Sequence, residues 1–483
     1  MANVGWAVFF KLFRSTRVTR VEQIAVFAKR ASWDQLNDYA REQLRLRILD
    51  AVGCAIGALS GDVPKKVSSW VEELAGDGDC TLIGGGRSRP DLAAFYNSAL
   101  TRYLDFNDSY LAKGETCHPS DNLGALLAAG EYAGVSGREL MVALAVSYQV
   151  QCRLSDEAPV RAKGFDHTVQ GAYAASAGTG RILGLEQSQL ASAIAISGTA
   201  LNALRVTRTG TLSNWKGLAY PHMAADCLRN ALLARHGISG PLAVIEGEKG
   251  LMDSIAGDFQ LNWATEGLDR VTRTVVKKYN AEIHSQTTIE AVLQLRQEYQ
   301  IAPEQIEHVH VTVFDVAYHI IGGGEEGDKS TVRTKEQADH SLPYIVAVAL
   351  LNGQVMPEQY APERIVRADV QKLMRKITVR ASPAYSERFP DEMPSRVTLT
   401  LGDERVLERE VRSYPGWHSQ PPNWATVYAK FERLAAPFTK ASQRTEIADA
   451  IAHLEGIAVS NLMQPLRQIA AAQSKTVVTM RRR

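Results

Sequence analysis

The side chains able to move protons or hold anions are gathered in a few short polar stretches. The densest is Tyr103-Leu-Asp-Phe-Asn-Asp-Ser-Tyr110, followed by Cys117-His118-Pro119-Ser120-Asp121, a loop between two helical segments. Asp105, Asn107 and Asp108 are too polar for a helix interior without partners. Ser120 or Asp121 can cap the next helix, while a helix start flanked by His118 is also suited to a carboxylate, because free backbone N–H groups and the dipole favour an anion. His167, in Lys163-Gly-Phe-Asp-His167-Thr-Val-Gln-Gly171, again precedes an apolar helix and reads either as a cap or as a working imidazole. Lys216 ends the polar, glycine-containing loop Thr207-Arg-Thr-Gly-Thr-Leu-Ser-Asn-Trp215. His284 lies in Asn280-Ala-Glu-Ile-His284-Ser-Gln-Thr-Thr288, after Lys277 and Lys278, where it caps a helix or binds. Asp339-His340-Ser-Leu-Pro-Tyr344 repeats the theme. The chemistry open to this set is carboxylate binding with proton transfer.

Two kinds of element must position these groups. From Ser32 to about residue 270 the pattern is helix after helix: Leu36, Ala40, Leu44, Ile48, Val52 and Ile56 recur at helical spacing behind the N-cap chemistry of Ser32-Trp-Asp34. The same period runs over residues 121–133, 137–154, 169–183 and 217–236, with Gly134, Gly184 and Gly237 near the expected ends. Near residue 305 the period becomes two, since Val309, Val311 and Val313 alternate with His308, His310 and Thr312. Residues 377–381 continue as strand, residues 396–401 and 406–411 form a hairpin through Gly402-Asp403-Glu404, and residues 341–351 read as a buried helix. The expected fold is mainly α: an N-terminal extension (1–30), a large all-helical domain (31–270), a smaller α+β lid domain (271–413), and C-terminal helices (414–470) that return to the helical domain.

Length and composition bound the function. At 483 residues the chain exceeds one ordinary core, which stops growing near roughly 250–300 residues. Lysine plus arginine (54) and aspartate plus glutamate (53) nearly cancel, so neither nucleic acid nor an acidic membrane is expected as a partner. The five cysteines form no CxxC pair and no zinc-like spacing, which points to a reduced, cytoplasmic compartment. The first twenty residues carry four basic groups and no acid; read as a presequence, they would direct the chain to the mitochondrial matrix instead. Gly84-Gly-Gly86 and Gly322-Gly-Gly324 lack P-loop and dinucleotide-fold context. HExxH, the EF-hand loop, the G-x-S-x-G elbow and an iron–sulfur cysteine set are missing from the sequence, and His308-Val-His310 is explained by strand alternation.

Leu104-Asp-Phe-Asn-Asp-Ser-Tyr110 with His118-Pro-Ser-Asp-Asn-Leu-Gly124 resembles the signature of the MmgE/PrpD family, which includes 2-methylcitrate dehydratase, cis-aconitate decarboxylase and iminodisuccinate epimerase. Asp50-Ala-Val-Gly-Cys54, His167, the Lys216 loop, Ala281-Glu-Ile-His-Ser-Gln-Thr287 and Asp339-His-Ser-Leu-Pro-Tyr344 follow in the family's order, so the resemblance covers about residues 30–440. It implies a helical domain and a lid with the site between them, no cofactor and no metal, and a homodimer. It also implies a catalytic set of Asp105, His118, His167, Lys216 and Tyr344, with Ser109, Lys277 and His284 binding a small tricarboxylate or dicarboxylate. The loop from Arg205 to Trp215 departs from the usual dehydratase wording.

Such enzymes make or quench a carbanion-like centre beside a carboxylate, which needs a base, an acid for the leaving hydroxyl and cations for the acid groups. On the resemblance, His118 or His167 is the base, the other imidazole or Tyr344 the acid, Lys216 and Lys277 neutralise carboxylates, and Asp105 orients an imidazole. The expected reaction is dehydration of 2-methylcitrate to 2-methylaconitate in propionate catabolism. Decarboxylation of cis-aconitate and epimerisation of a diacid use the same groups, and a non-catalytic metabolite-binding member is the alternative of another class.

Overall fold

The computed structural model describes residues 18–469 except 75 and 77. A first apolar core unites helices from the N-terminal half with the C-terminal ones, and a second holds the lid from Val275 to Trp417. The fold is mainly α with a smaller α+β domain, as the change of period indicates.

Arg20–Arg30 is a helix capped by Thr19 and Glu22 in a capping box, and it buries Val21, Ile24, Ala25, Phe27 and Ala28 in the first core. This corrects the expected extension, because residues 20–30 are part of the helical domain. The targeting reading falls largely on residues 1–17, which lie outside the described residues. Ser32 opens only the short turn Trp33–Gln35; the long helix Asp38–Gly57 takes its cap from Asn37, whose side chain accepts from Ala40 N. Helices Leu123–Ala133, Gly137–Glu157, Thr168–Ile182 and Trp215–Arg235 stand where the apolar period placed them.

These helices meet at short range, and small residues permit it. Gly124 faces the backbone of Pro90–Tyr103, where a Cβ would come within 2.4 Å of Ser98 N, and Gly171 faces Trp215–Arg235, where one would come within 2.6 Å of the Tyr220 ring. Close crossing at these points brings three polar loop ends together: Leu104 to Asp105 after the first helix, His118 before the second and His167 before the third.

The lid sheet has the order Ile377–Ala381, Ile306–Val313, Ser395–Leu401, Val406–Val411, with the first pair parallel and the others antiparallel. Ser395–Leu401 alternates buried and half-buried residues, and the helices Gln286–Tyr299 and Leu342–Asn352 pack against the sheet. His308 and His310 share the outer face, where both imidazoles hydrogen-bond to Thr378 Oγ1 at 3.0 Å.

The C-terminal helices Trp424–Ala435, Ala441–Ala452 and Val459–Arg467 send Phe431, Leu434, Ile447 and Leu462 into the first core. One residue of the first of them fastens both domains. Lys430 Nζ donates to Phe106 O (2.7 Å) and Lys277 O (3.1 Å), pairs with the Asp50 carboxylate at 2.6 Å and lies 3.7 Å from the centre of the Phe106 ring. Burial pushes the Asp50 carboxyl up while Lys430 draws it back. Replacing Lys430 with methionine leaves that carboxyl buried and unpaired, at a cost of about 3–5 kcal/mol. Urea unfolding of K430M checks this, and a loss below about 1 kcal/mol would show that the pair is well solvated.

Candidate active site

The site is built around one carboxylate. The helix Pro90–Tyr103 stops at Leu104, and Asp105 takes φ 55°, the left-handed region that a non-glycine residue adopts at a cost. That turn aims its side chain into the space between the domains. Oδ1 accepts from Arg102 Nη1 at 2.6 Å and from Lys277 Nζ at 2.7 Å; Oδ2 lies 3.3 Å from Lys216 Nζ and 3.7 Å from His340 Nδ1. Burial alone would raise the Asp105 carboxyl, but Arg102, Lys277, Lys216 and His340 overcome it and hold the group well below its usual range. Asp339 repeats the arrangement, accepting from Lys216 at 2.9 Å, from Lys335 at 2.7 Å and bonding His340 at 2.8 Å. Its carboxyl, too, is lowered against the effect of burial, chiefly by Lys216 and Lys335. Arg102, Lys277, Lys216 and Lys335 thus hold Asp105 and Asp339 between them.

Asp105, Asp339 and His340 are also the group among the described residues whose donor atoms come close enough together for a metal ion. The fit is poor, because each carboxylate is already engaged by two or more cationic groups that an ion would have to displace.

Beside this cluster lies a small cavity of about 40 Å³, lined by His118, His167 and His284 with Arg102, Asp105, Lys277, Glu282 and His340. His118 Nδ1 sits 2.8 Å from Asp108 O, which can only accept, so Nδ1 carries the proton and Nε2 is left as the ring's basic nitrogen. Burial, then the charges of Arg102 and Lys277, hold this imidazole well below its ordinary value, so it is neutral. His167 is fixed the other way round: Arg208 Nη2 donates to its Nε2 at 3.0 Å, so Nδ1 carries the proton, buried and without a partner. Burial lowers it to about 3, with Asp166 opposing and Arg208 reinforcing the shift. The two rings stand edge to face at 5.6 Å. His284 Nδ1 bonds Glu282 Oε1 at 2.6 Å while Glu282 Oε2 accepts from His284 N at 2.8 Å, leaving Nε2 buried and unpartnered. Burial raises the Glu282 carboxyl, but His284, His340 and Lys277 more than offset this and lower it.

Of the expected set, Asp105, His118, His167, Lys277 and His284 line one cavity, and Lys216 reaches it through its bond to Asp105. Two expectations are corrected. Tyr344 does not reach the cavity: it is fully buried in the lid core, its hydroxyl donates to Gln359 O, and its ring packs near Tyr360, because its place on the helix Leu342–Asn352 turns it toward that core. Ser109 does not line the cavity either. Its backbone bridges Val275 (2.9 and 2.8 Å) and its hydroxyl bonds His118 Nδ1 at 3.0 Å, so it positions the imidazole. Arg102, Arg208 and Glu282 belong to the site and were missed, the first because it lies inside a helix pattern. Glu282, two residues before His284, offered a readable signal, as did His340 beside Asp339.

Two measurements test this geometry. Between about pH 6.5, where a free imidazole titrates, and about 3, where His167 does, the unfolded chain binds a proton that the folded one refuses, so stability falls as pH drops. Wild type should lose about 2 kcal/mol more than H167N between pH 6.5 and pH 5 in urea unfolding; equal losses would place the ring in water. Removing the Tyr344 hydroxyl in Y344F should cost about 1 kcal/mol of stability with kcat nearly unchanged, whereas a fall of about 10²-fold in kcat would return the residue to the reaction.

Comparison with known proteins agrees with this architecture. Residues 22–264 match the MmgE/PrpD N-terminal domain and residues 279–455 the MmgE/PrpD C-terminal domain. The chain is 27% identical to a 2-methylcitrate dehydratase of Escherichia coli K12, covering 77% of this chain and 81% of that protein. It is 26% identical to one of Cupriavidus necator (88% and 92%) and 26% identical to the mitochondrial 2-methylcitrate dehydratase of Yarrowia lipolytica (80% and 79%). With both domain models matched in order over most of its length, the chain belongs to the MmgE/PrpD family.

Proposed function

We propose that this protein is a lyase that dehydrates 2-methylcitrate, or a closely related hydroxy tricarboxylate, to the unsaturated acid. The observation that carries the reading is His118: a neutral imidazole with its tautomer fixed by Asp108 O, one free nitrogen, and a cavity in which cations outnumber carboxylates. The relatives' names support the substrate class.

In this reading His118 Nε2 takes the proton alpha to a substrate carboxylate. The electron pair of the broken C–H bond spreads into that carboxylate, where Lys277, Lys216 and Arg102 stabilise the growing charge because they are already aligned and need not reorganise. The C=C bond forms as the C–O bond to the hydroxyl breaks. His284 Nε2, with Nδ1 held by Glu282, donates a proton to the departing oxygen, so that water leaves and the proton taken up by His118 is matched by the one given up. His167 stays neutral and shapes the wall beside His118. Tyr344 has no step, and none of these steps draws on a cofactor.

The relatives' substrate argues for dehydration over decarboxylation of cis-aconitate or epimerisation of a diacid, and product identification separates the three. A silent metabolite-binding role is disfavoured because His167 Nδ1 and His284 Nε2, in rings that line the cavity, are buried and have no hydrogen-bond partner. The homodimer and the cytoplasmic location are carried forward as proposals; no helix of the described residues is long and apolar enough to cross a membrane.

Purified protein incubated with 2-methylcitrate, citrate and cis-aconitate should develop unsaturated-acid absorbance from the first. H118A should cut kcat by roughly 10²-fold or more, and H284A comparably. Near-wild-type turnover in H118A would remove the base from the scheme, and release of CO₂ from cis-aconitate in place of dehydration would move the protein to the decarboxylases of its family.

A further inference from the structure

A second charged group in the lining of the same cavity spans the two domains. The short turn Arg205–Arg208 follows the helix Gln187–Ala200 of the helical domain and carries two arginines, of which Arg205 reaches the lid. Arg208 is clamped, donating to Asp166 Oδ2 at 2.6 Å and to His167 Nε2 at 3.0 Å. Arg205 has a weaker hold on its own domain, with Asp166 4.0 Å away, and is engaged by Glu326 from the lid loop that follows Gly322–Gly324. All three side chains line the cavity that holds His118 and His167.

The Arg205–Glu326 pair is only half complete. Glu326 is buried and one carboxylate oxygen meets Arg205, while the other, Oε2, is also buried and accepts no hydrogen bond. A pair selected for stability satisfies both oxygens, since an unpartnered charged oxygen in a buried place is costly. The arginines present more donors than Glu326 uses, in the planar geometry that suits a carboxylate. Lys277 and Lys216, gathered on Asp105, provide in the proposed reading for carboxylates near the reacting carbon. A hydroxy diacid is served by those cations alone; a third carboxylate needs others.

We propose that Arg205 and Arg208 form the subsite for the third carboxylate of a tricarboxylate substrate, and that Glu326 competes with that carboxylate for Arg205. This rests on the reading of the cavity as a site for citrate-like acids, and it adds what selects three carboxylates over two. Substrate entry exchanges one carboxylate for another at Arg205 and frees Glu326 from its half-made pair.

The test is calorimetric titration of the full chain with tricarballylate, which has three carboxylates and no hydroxyl to lose, and with succinate, which has two. Wild type should bind tricarballylate more tightly than succinate. R205Q should weaken tricarballylate by roughly 10²-fold and leave succinate within about threefold. E326Q should tighten tricarballylate about three- to tenfold, because the competitor is gone. The opposite signs are the mark of competition; a structural pair would lose affinity from either substitution. Weakening of tricarballylate in E326Q overturns the proposal even if R205Q does not fold, and so does equal weakening of both acids in R205Q. A wild type that binds the two acids alike overturns the subsite whether or not 2-methylcitrate is dehydrated. If the preference and the opposite signs hold while 2-methylcitrate is not turned over, the dehydratase reading falls and the subsite stands.

Discussion

The Asp105 carboxylate is the constraint on which the rest of the site depends. Arg102 and Lys216 from the helical domain and Lys277 from the segment leading into the lid all converge on it, with His340 of the lid 3.7 Å away. A buried lysine or arginine without a counter-ion is expensive, and three around one point would repel one another. One ionised carboxylate at their centre makes the group tenable, and Asp339 does the same for Lys216 and Lys335. The backbone strain at Asp105, with φ 55°, is what brings the carboxylate to that centre. Cations held in this way are preorganised: the cost of gathering them is met in folding, so a negatively charged transition state finds them in place.

The same convergence ties function to domain docking. The helical domain brings His118, His167 and Arg102, while the lid side brings Lys277, Glu282, His284, Asp339 and His340. Neither half holds a complete acid–base pair with its cations. The bridge between Ser109 and Val275 and the three contacts of Lys430, to Phe106, Lys277 and Asp50, lock the halves next to the reacting groups. Lys430 thus acts at a distance from substrate, through the backbone of the residues on either side of the site.

Much of this was legible in the sequence. Helix positions followed from apolar period, and the strand Ile306–Val313 from its alternation, because one face of each element must be buried and burial imposes a repeat. Asp105, His118, His167 and Lys216 stood out as polar groups at helix ends, which is where a chain of packed helices must place its chemistry. Tyr344 was expected in the site from the family resemblance carried by Asp339-His-Ser-Leu-Pro-Tyr344, and only the rotation of its helix sends it to the core. Ser109 was placed near the right imidazole but on its far side. Arg102 was invisible for a different reason: an arginine in a helix normally reaches water, and nothing in the local pattern tells that this one turns inward to a carboxylate three residues on. The helix Arg20–Arg30 was hidden by the basic residues before it, although Thr19 and Glu22 form a readable capping box.

In the proposed reaction, three of the four imidazoles that line the cavity divide the proton roles using ordinary parts. His118 and His167 are buried beside arginines and held neutral, but Asp108 O fixes one by its Nδ1 and Arg208 the other by its Nε2, so the first offers a lone pair and the second an N–H. His284 differs in having a carboxylate, Glu282, on the nitrogen away from the cavity. In the proposed reaction, the carbonyl behind His118 and the carboxylate behind His284 separate the base from the acid. The distinction is set by second neighbours, Asp108 and Glu282, rather than by the histidines themselves. A sequence that showed only the histidines therefore left base and acid undecided, and the assignment becomes arguable once the atoms behind each ring are known.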